Sequence, residues 1–216
     1  MTKLIIFDLD GTLIDTREDI ANACNYALGQ CGCPAHRLDE YNMLVGRGID
    51  NLFRGALPPE KNTEEMVTRM RSIFVPYYDE HKCDFTRPYP GIIETLEKLS
   101  EKGLHFAVAS NKYQEGTEQL VEKFFGNYNF VKILGQREGK PIKPDPLIVT
   151  EAMEGVPGIM KEEVIYCGDS DVDMQTGLKA GVKTIGVTWG FRTREELEAY
   201  SPWKLIDHPL EIIDII

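Results

Sequence analysis

The chain has 216 residues, of which 42% are hydrophobic and 27% charged, and its formal net charge is −11. This composition is typical of a globular protein with one domain and an insertion, or with two small domains, and it excludes long disordered segments. No lysine- or arginine-rich run is present, so we expect no nucleic-acid partner, because phosphate backbones are bound by clustered positive charge.

The first predicted element is a strand, "LIIF" at 4–7, which ends directly in Asp8 and Asp10. Its apolar run is too short for a signal peptide or a membrane span, so we expect a cytoplasmic protein with no membrane partner. Two carboxylates at the end of a buried strand are costly unless they meet a cation, a proton or water. The sequence therefore marks this strand end as a candidate site.

Residues 16–86 read as helices, with no strand pattern among them. The segments are "REDIANACNYALGQCG" at 17–32, "VGRGIDNLFRGAL" at 45–57 and "NTEEMVTRMRSIFVPYYDEHK" at 62–82. The pattern predicts a helical insertion after the first strand, with hinges near 15–16 and 87–90. "CGC" at 31–33 invites a zinc or redox interpretation, but it has no second cysteine pair at ligand spacing, so free thiols in a turn between helices are favoured.

From residue 87 onward strands and helices alternate. Prolines at 88 and 90 end the helical insertion. Apolar runs at 104–110, 163–170 and 183–189 predict strands covered on both faces, and helical patterns cover 91–103 and 171–181. Together with the first strand, this order predicts an α/β fold with a doubly wound parallel sheet.

Polar side chains follow three of the four predicted strands and one loop. They are Asp8 and Asp10, Ser110 and Asn111, Asp169 and Asp173, and Lys143 in the loop "KPIKPDP". Because ligands bind at the carboxyl ends of parallel strands, we expect these residues to converge.

Each member of this set has a chemical role in phosphoryl transfer. Asp8 is the expected nucleophile, and Asp10 is expected to pass a proton to the leaving alcohol and to take one from water. Ser110, Lys143 and the backbone N–H groups after Asp10 are expected to bind the phosphoryl oxygens.

Carboxylates from two strand ends also form a hard oxygen site of the kind that Mg²⁺ prefers. Asp8, Asp169 and the main-chain carbonyl of Asp10 are the expected ligands. A bound cation removes the cost of crowding these acids.

Four strings, "DLDGT", "SN", "KPDP" and "GDSDVD", together resemble the four motifs of the haloacid dehalogenase superfamily. The resemblance implies a Rossmann-like core of residues 1–15 and 87–216 and a C1-type α-helical cap of residues 16–86. It also implies an aspartate nucleophile and acid/base pair, phosphate ligands and a Mg²⁺ site. The residues are, for catalysis, Asp8 and Asp10; for phosphate, Ser110, Asn111, Lys143, Gly11 and Thr12; and for the metal, Asp8, Asp10 and Asp169, with Asp173 assisting.

The acid at Asp10 favours phosphoryl transfer over carbon–halogen cleavage, which needs no protonated leaving group. Three strings, "LVGRGIDNLFRGAL", "YYDEHKCDFTRPYPGI" and "GVTWGFRTREEL", look most like those of phosphoglycolate phosphatases and their pyrophosphatase relatives. We therefore expect a phosphatase acting on a small phosphorylated metabolite, with 2-phosphoglycolate favoured. The alternatives are a β-phosphoglucomutase-like mutase, an inorganic pyrophosphatase, a phosphonate hydrolase using Lys61 or Lys82, and a catalytically silent binding module. A monomer or weak homodimer suffices.

Arg47, which lies between two glycines, is expected to bind a carboxylate of the substrate from the cap. The alternative for this residue is a solvent-facing arginine at a helix start. Arg192 and Arg87 are further possibilities for the same role. Lys140 is a rival of Lys143, and "KPDP" favours Lys143.

Overall fold

Six parallel strands form the main sheet of the protein, whose computed structural model describes all residues from Met1 to Ile216. The strands in chain order are β1 (Leu4–Phe7), β2 (Ile14–Asp15), β3 (Arg87–Pro88), β4 (His105–Tyr113), β5 (Phe130–Gln136), β6 (Val164–Gly168), β7 (Lys183–Val187) and β8 (Lys204–Ile206). The spatial order of the main sheet is β5-β4-β1-β6-β7-β8, with each neighbouring pair parallel. The chain builds outward from β1 in both directions, which places a topological switch point at the carboxyl end of β1.

Ten α-helices accompany these strands. They are α1 (Arg17–Gln30), α2 (Tyr41–Leu44), α3 (Ile49–Ala56), α4 (Glu64–His81), α5 (Ile92–Glu101), α6 (Gln114–Phe125), α7 (Leu147–Met153), α8 (Asp171–Ala180), α9 (Arg194–Glu198) and α10 (Ile212–Ile215). Short 3₁₀ helices occur at Leu38–Glu40, Pro59–Lys61, Lys161–Glu163 and Pro209–Glu211. None of the helices combines the length and the apolar character that crossing a bilayer requires.

Strand β1 is apolar throughout because it is covered on both faces. Ile5 and Phe7 join one buried cluster with side chains of α5, α6 and α10, whereas Leu4 and Ile6 join a second cluster with side chains of α7 and α8. This alternation is the period-two pattern of a strand between two helical layers. The predicted doubly wound α/β fold is confirmed.

All four strands predicted from the sequence are present, but the sheet has two more. Strand β5, "FVKILGQ", lies at one edge, and β8, "KLI", at the other. An edge strand has one unpaired side, and its residues are less completely buried than those of β1, so the apolar signal is weaker. With three residues, β8 is also too short for a periodic pattern.

Residues 17–81 contribute helices and no strand to the fold. Nineteen of their buried side chains, together with Phe191 from the loop after β7, form a hydrophobic cluster of 20 residues, separate from the two clusters that flank the sheet. Cys31 and Cys33 pack within this cluster as free thiols. The exact domain boundaries at residues 16 and 86 stay a prediction.

The chain enters and leaves the helical segment at one place. Strands β2 and β3 pair there as an antiparallel ladder, with Ile14 opposite Pro88. Beside this ladder the buried carboxylate of Asp19, in the first turn of α1, accepts hydrogen bonds from the N–H groups of Phe85 and Thr86 and from the Thr86 hydroxyl. The carboxylate thus ties the start of the helical segment to its end.

We expect Asp19→Ala to lower the free energy of unfolding by about 3 kcal/mol, because it leaves the buried N–H and hydroxyl groups of Thr86 and the N–H of Phe85 without their charged acceptor. Urea unfolding followed by circular dichroism measures this change. The matched control is Glu18→Ala, an exposed neighbour on the same helix, which should change stability by less than about 0.5 kcal/mol. Equal stabilities of the two variants would contradict the assigned role.

Candidate active site

Carboxylates from two strand ends and a lysine from a loop meet at the topological switch point. Asp8 follows β1, Asp169 follows β6, Asp173 lies in the first turn of α8, and all three are buried. One carboxylate oxygen from each lies within 4.8 Å of the others. The Lys143 ammonium lies 2.8 Å from Asp8 Oδ1 and 2.8 Å from Asp173 Oδ1. The convergence expected from the sequence is present, and Lys143 is the lysine at the site.

The electrostatics of this cluster favour a further cation. Burial, together with the charge of Asp173, holds the pKa of Asp8 well above its usual value. Burial also raises the pKa of Asp169 to about 7. For Lys143 burial lowers the pKa, but the charges of Asp173 and Asp8 outweigh it and raise the pKa overall. A single buried lysine thus accompanies three buried acids.

Two observations identify where a cation fits. Asp8 Oδ1 is buried, and its cationic partner is the Lys143 ammonium at 2.8 Å. Asp169 has one oxygen bonded by the Thr12 hydroxyl at 3.0 Å and the other by the Phe191 N–H at 2.8 Å, which fixes its orientation. Oxygen donors in this arrangement suit a hard divalent cation.

Asp173 has both carboxylate oxygens occupied by donors. Oδ1 accepts from Lys143 at 2.8 Å and from the Tyr166 hydroxyl at 2.9 Å, and Oδ2 accepts from the N–H and hydroxyl of Ser170. Through these contacts Asp173 positions Lys143. Its assistance in metal binding stays a prediction.

The Asp10 carboxylate lies outside the three-acid cluster. Its Oδ1 accepts a 2.7 Å hydrogen bond from the Thr16 hydroxyl, and its Oδ2 lies 3.2 Å from the Lys112 ammonium. These partners occupy both oxygens of the side chain, and a metal-binding role for Asp10 stays a prediction. Sequence reasoning missed Lys112, although it directly follows the "SN" motif at the end of β4.

The turn after Asp8 corrects two expected phosphate ligands. The N–H of Gly11 donates to the carbonyl of Ile14, and the N–H of Thr12 donates to the carbonyl of Leu9, because the turn closes on itself. The N–H groups of Leu9 and Asp10 have no acceptor in the protein and are the ones free to bind an anion. Gly11 and Thr12 instead build the turn, and Thr12 also bonds Asp169.

Gly11 is required by the geometry of this turn. Its φ of +88° lies in the left-handed region, and a Cβ there would lie 2.3 Å from Asp169 Oδ2. A side chain at this position would therefore collide with the carboxylate from β6.

Ser110 and Asn111 lie at the end of β4 and have different uses. The Ser110 hydroxyl lines the cleft and accepts from the N–H of Lys112 at 3.2 Å, so its own proton remains available for donation. The Asn111 amide exchanges two hydrogen bonds with the main chain of Lys143 and donates a third, at 3.0 Å, to the carbonyl of Gly46. Asn111 thus leaves only its main chain for a phosphate.

A cleft opens between the strand ends and the helical segment. Asp8, Asp10, Ser110 and Lys112 line one side. The opposite side is apolar and comes from the helical segment, with Ile20, Val45, Ile49, Leu52 and Phe74.

The three arginines considered for carboxylate binding are all engaged elsewhere and do not line this cleft. Arg47 donates a 2.6 Å hydrogen bond to Asp171 Oδ2. Arg192 donates to the main-chain carbonyls of residues 42 and 45, and Arg87 donates to those of residues 83, 84 and 86. A substrate role for Arg47 stays a prediction that requires its bond to Asp171 to open.

Comparisons with known proteins agree with this geometry. Residues 5–187 match the family model for haloacid dehalogenase-like hydrolases. Phosphoglycolate phosphatase from Aquifex aeolicus is 32% identical over 214 residues, covering 99% of this chain and 96% of that protein. The enzyme of the same name from Haemophilus influenzae is 31% identical, with coverages of 99% and 98%. The crystal structure of a predicted phosphoglycolate phosphatase from Haemophilus somnus superposes with a TM-score of 0.90 at 29% identity, with coverages of 99% and 97%.

Gly190 packs against the site from the loop after β7. A Cβ there would lie 2.3 Å from the Asp169 Cβ and 2.4 Å from the Gly11 carbonyl oxygen. We expect Gly190→Ala to lower the free energy of unfolding by about 1–3 kcal/mol through overpacking, as measured by urea unfolding. Gly29→Ala is the control, because a Cβ in that helix has no atom within 4 Å and should be neutral or stabilising. Wild-type stability of Gly190→Ala would contradict this packing.

Proposed function

The chain belongs to the haloacid dehalogenase-like hydrolase family and is a phosphatase, and we propose that it is a Mg²⁺-dependent enzyme that hydrolyses 2-phosphoglycolate through a phospho-aspartyl intermediate. The observation that carries this proposal is Asp8 itself. Its carboxylate is buried at the end of β1, with the Lys143 ammonium 2.8 Å from Oδ1 and the unpaired backbone N–H groups of Leu9 and Asp10 next in the chain. Such an oxygen is placed to react with an anion that the surrounding donors hold.

In the first step, an Asp8 carboxylate oxygen attacks phosphorus. A bond forms between Asp8 and phosphorus, the bond from phosphorus to the ester oxygen breaks, and Asp10 gives its proton to the leaving oxygen. In the second step, water attacks phosphorus, Asp10 takes a proton from it, and Asp8 is released with inorganic phosphate. The Thr16 hydroxyl and the Lys112 ammonium hold the Asp10 carboxylate between these steps.

Four groups of the protein are available to the phosphoryl oxygens. They are the Lys143 ammonium, the Ser110 hydroxyl, and the N–H groups of Leu9 and Asp10. Donors fixed before the reaction stabilise the charge that develops on these oxygens. Asp173 and Asn111 keep Lys143 in place through its side chain and main chain respectively.

The residues present fit a Mg²⁺ ion. Asp8 and Asp169, whose buried carboxylates meet from neighbouring strand ends, would hold it together with the main-chain carbonyl of Asp10. When bound, Mg²⁺ neutralises negative charge on the acids and on the phosphoryl group.

We also propose that residues 16–86 act as a cap over the cleft. The separate hydrophobic cluster of this segment and its single point of entry and exit at the ladder of β2 and β3 support a unit that moves as a whole. Bonds from Asn111 and Arg192 to main-chain carbonyls of residues 42–46 hold it against the core. A closed cap excludes bulk water during the first step.

The names of the relatives and the limited room beneath the apolar wall support phosphoglycolate as the substrate. A phosphonate hydrolase would need a lysine from the cap in the cleft, but Lys61 bonds the carbonyl of Gly32 and Lys82 bonds Asp79. A cytoplasmic location and a monomeric or weakly dimeric state stay predictions from the sequence.

A phosphate-release assay across several substrates tests this proposal. We expect kcat/KM for 2-phosphoglycolate to exceed the values for pyrophosphate, β-glucose 1-phosphate and sugar phosphates, and to be in the range of about 10⁴–10⁸ M⁻¹s⁻¹. EDTA should abolish turnover and added Mg²⁺ should restore it. Preference for pyrophosphate, or a requirement for a sugar bisphosphate activator, would identify a pyrophosphatase or a mutase instead. Full activity in metal-free buffer would contradict the Mg²⁺ site.

The variant Asp8→Asn tests the nucleophile. We expect turnover to fall below about 1% of wild type, because the amide is a far weaker nucleophile than the carboxylate. The fold should be retained, as checked by circular dichroism. Asp214→Asn, a change of the same kind at an exposed residue near the C-terminus, should keep full activity. More than a few per cent residual activity in Asp8→Asn would refute the assignment.

A further inference from the structure

The cleft has a single positively charged side chain on its surface beyond the phosphate site. Arg47 is bonded to Asp171, and Arg192 is bonded to main-chain carbonyls. Lys143 lies between Asp8 and Asp173. Lys112 differs from these three cations because it lines the cleft itself.

The ammonium of Lys112 has one unused donor. Its side chain is 6% exposed, and Nζ lies 3.2 Å from Asp10 Oδ2. Nζ also donates a 2.9 Å hydrogen bond to the hydroxyl of Tyr78, whose ring centroid lies 4.6 Å away. An ammonium has three N–H donors, and the third has no acceptor in the protein. Two fixed contacts therefore hold the charge in place and leave one donor for a ligand.

The other side chains of the cleft include no cation that could bind a second anionic group of the substrate. Its cap side is apolar at Val45, Ile49, Leu52 and Phe74. The Tyr113 hydroxyl, which also lies at the cleft, is bonded to Asp79 at 2.6 Å. Among the side chains that line the cleft, only Lys112 could pair with a substrate carboxylate beneath the cap, and burying an unpaired charge is strongly unfavourable.

The position of Lys112 also limits how far that carboxylate lies from the ester. Asp10, to which Lys112 is paired, serves the leaving oxygen in the proposed mechanism. A group in contact with Lys112 therefore lies within a few ångströms of that oxygen. In 2-phosphoglycolate a single methylene separates the ester oxygen from the carboxylate.

We propose that Lys112 is the specificity-determining residue, which binds the carboxylate of the substrate and selects short phosphate monoesters of hydroxy acids. This inference rests on the proposed function, because it takes the reacting phosphoryl group to lie at Asp8. It assigns to Lys112 the role that the sequence suggested for Arg47.

The test compares two substrates that differ in this group alone, 2-phosphoglycolate and 2-hydroxyethyl phosphate, in which an uncharged hydroxymethyl group replaces the carboxylate. For Lys112→Met we expect KM for 2-phosphoglycolate to rise by about tenfold or more, which is the loss of one hydrogen bond between charged groups. KM for 2-hydroxyethyl phosphate should change by less than about threefold, within the context dependence of one uncharged contact. A displaced Asp10 would lower kcat for both substrates alike, so the ratio of the two kcat/KM values isolates the role of Lys112.

Three further variants complete the experiment. Lys98→Met, the same change at an exposed lysine paired with Glu94 on α5, should leave both substrates unaffected. Lys112→Gln keeps polar contacts without the charge and should behave as Lys112→Met does, which guards against a folding defect in one variant. Arg47→Ala should keep the preference for 2-phosphoglycolate. Loss of the preference in Arg47→Ala, and not in the Lys112 variants, would overturn the assignment.

The failure of this inference and the failure of the proposed function give different results. Equal kcat/KM for both substrates in the wild type would leave a phosphatase without a carboxylate site and would overturn the role of Lys112. If the wild type hydrolyses neither substrate, the proposed function fails. Calorimetric titration of 2-phosphoglycolate into Asp8→Asn and Asp8→Asn/Lys112→Met then decides the inference, since equal dissociation constants would refute it and a weakening of about tenfold would support it.

Discussion

The pairing of the buried Lys143 ammonium with Asp8 and Asp173 is the constraint on which the site depends. Buried charges are tolerated only when they are paired and hydrogen-bonded. The three residues come from the end of β1, the start of α8 and the loop before α7, so they meet only when the parallel sheet is complete. The charges are therefore paired only in the folded sheet. The lysine balances one of the three acids, and the two negative charges that remain suit a divalent cation.

Around this cluster the protein separates reactivity from selectivity. In the proposed mechanism the strand ends supply the groups that act on phosphorus, whereas the helical segment supplies an apolar wall of the cleft. Strand β4 contributes to both, because it continues past the residues that pair with β1. Ser110 and Lys112 lie on this extension, one beside the phosphate site and the other beneath the wall. A change at Lys112 should alter the choice of leaving group without removing a contact of Asp8, Asp169 or Asp173.

The sequence was sufficient to predict those parts of the protein in which a residue pattern has a single physical explanation. A continuous apolar strand ending in Asp8 predicts a sheet covered on both faces and a charged site at its edge, and both are present. The N–H groups of Gly11 and Thr12 could not be assigned, because the turn's own hydrogen bonds are set by backbone geometry. Likewise, an arginine such as Arg47 has a long side chain whose partner, Asp171, is distant in sequence. Lys112 was not predicted, because the "SN" motif ends at the residue before it.

The ladder of β2 and β3 has a consequence for how such proteins diversify. Its two paired strands lie about 5 Å apart, as in any antiparallel pair, so the chain leaves the core and returns to it at neighbouring points. The free energy of closing a loop between fixed ends rises only slowly with loop length. The intervening segment can therefore lengthen, shorten or be exchanged for another while the sheet keeps its register. An arrangement of this kind allows the same chemical centre to be kept while the segment between β2 and β3 changes.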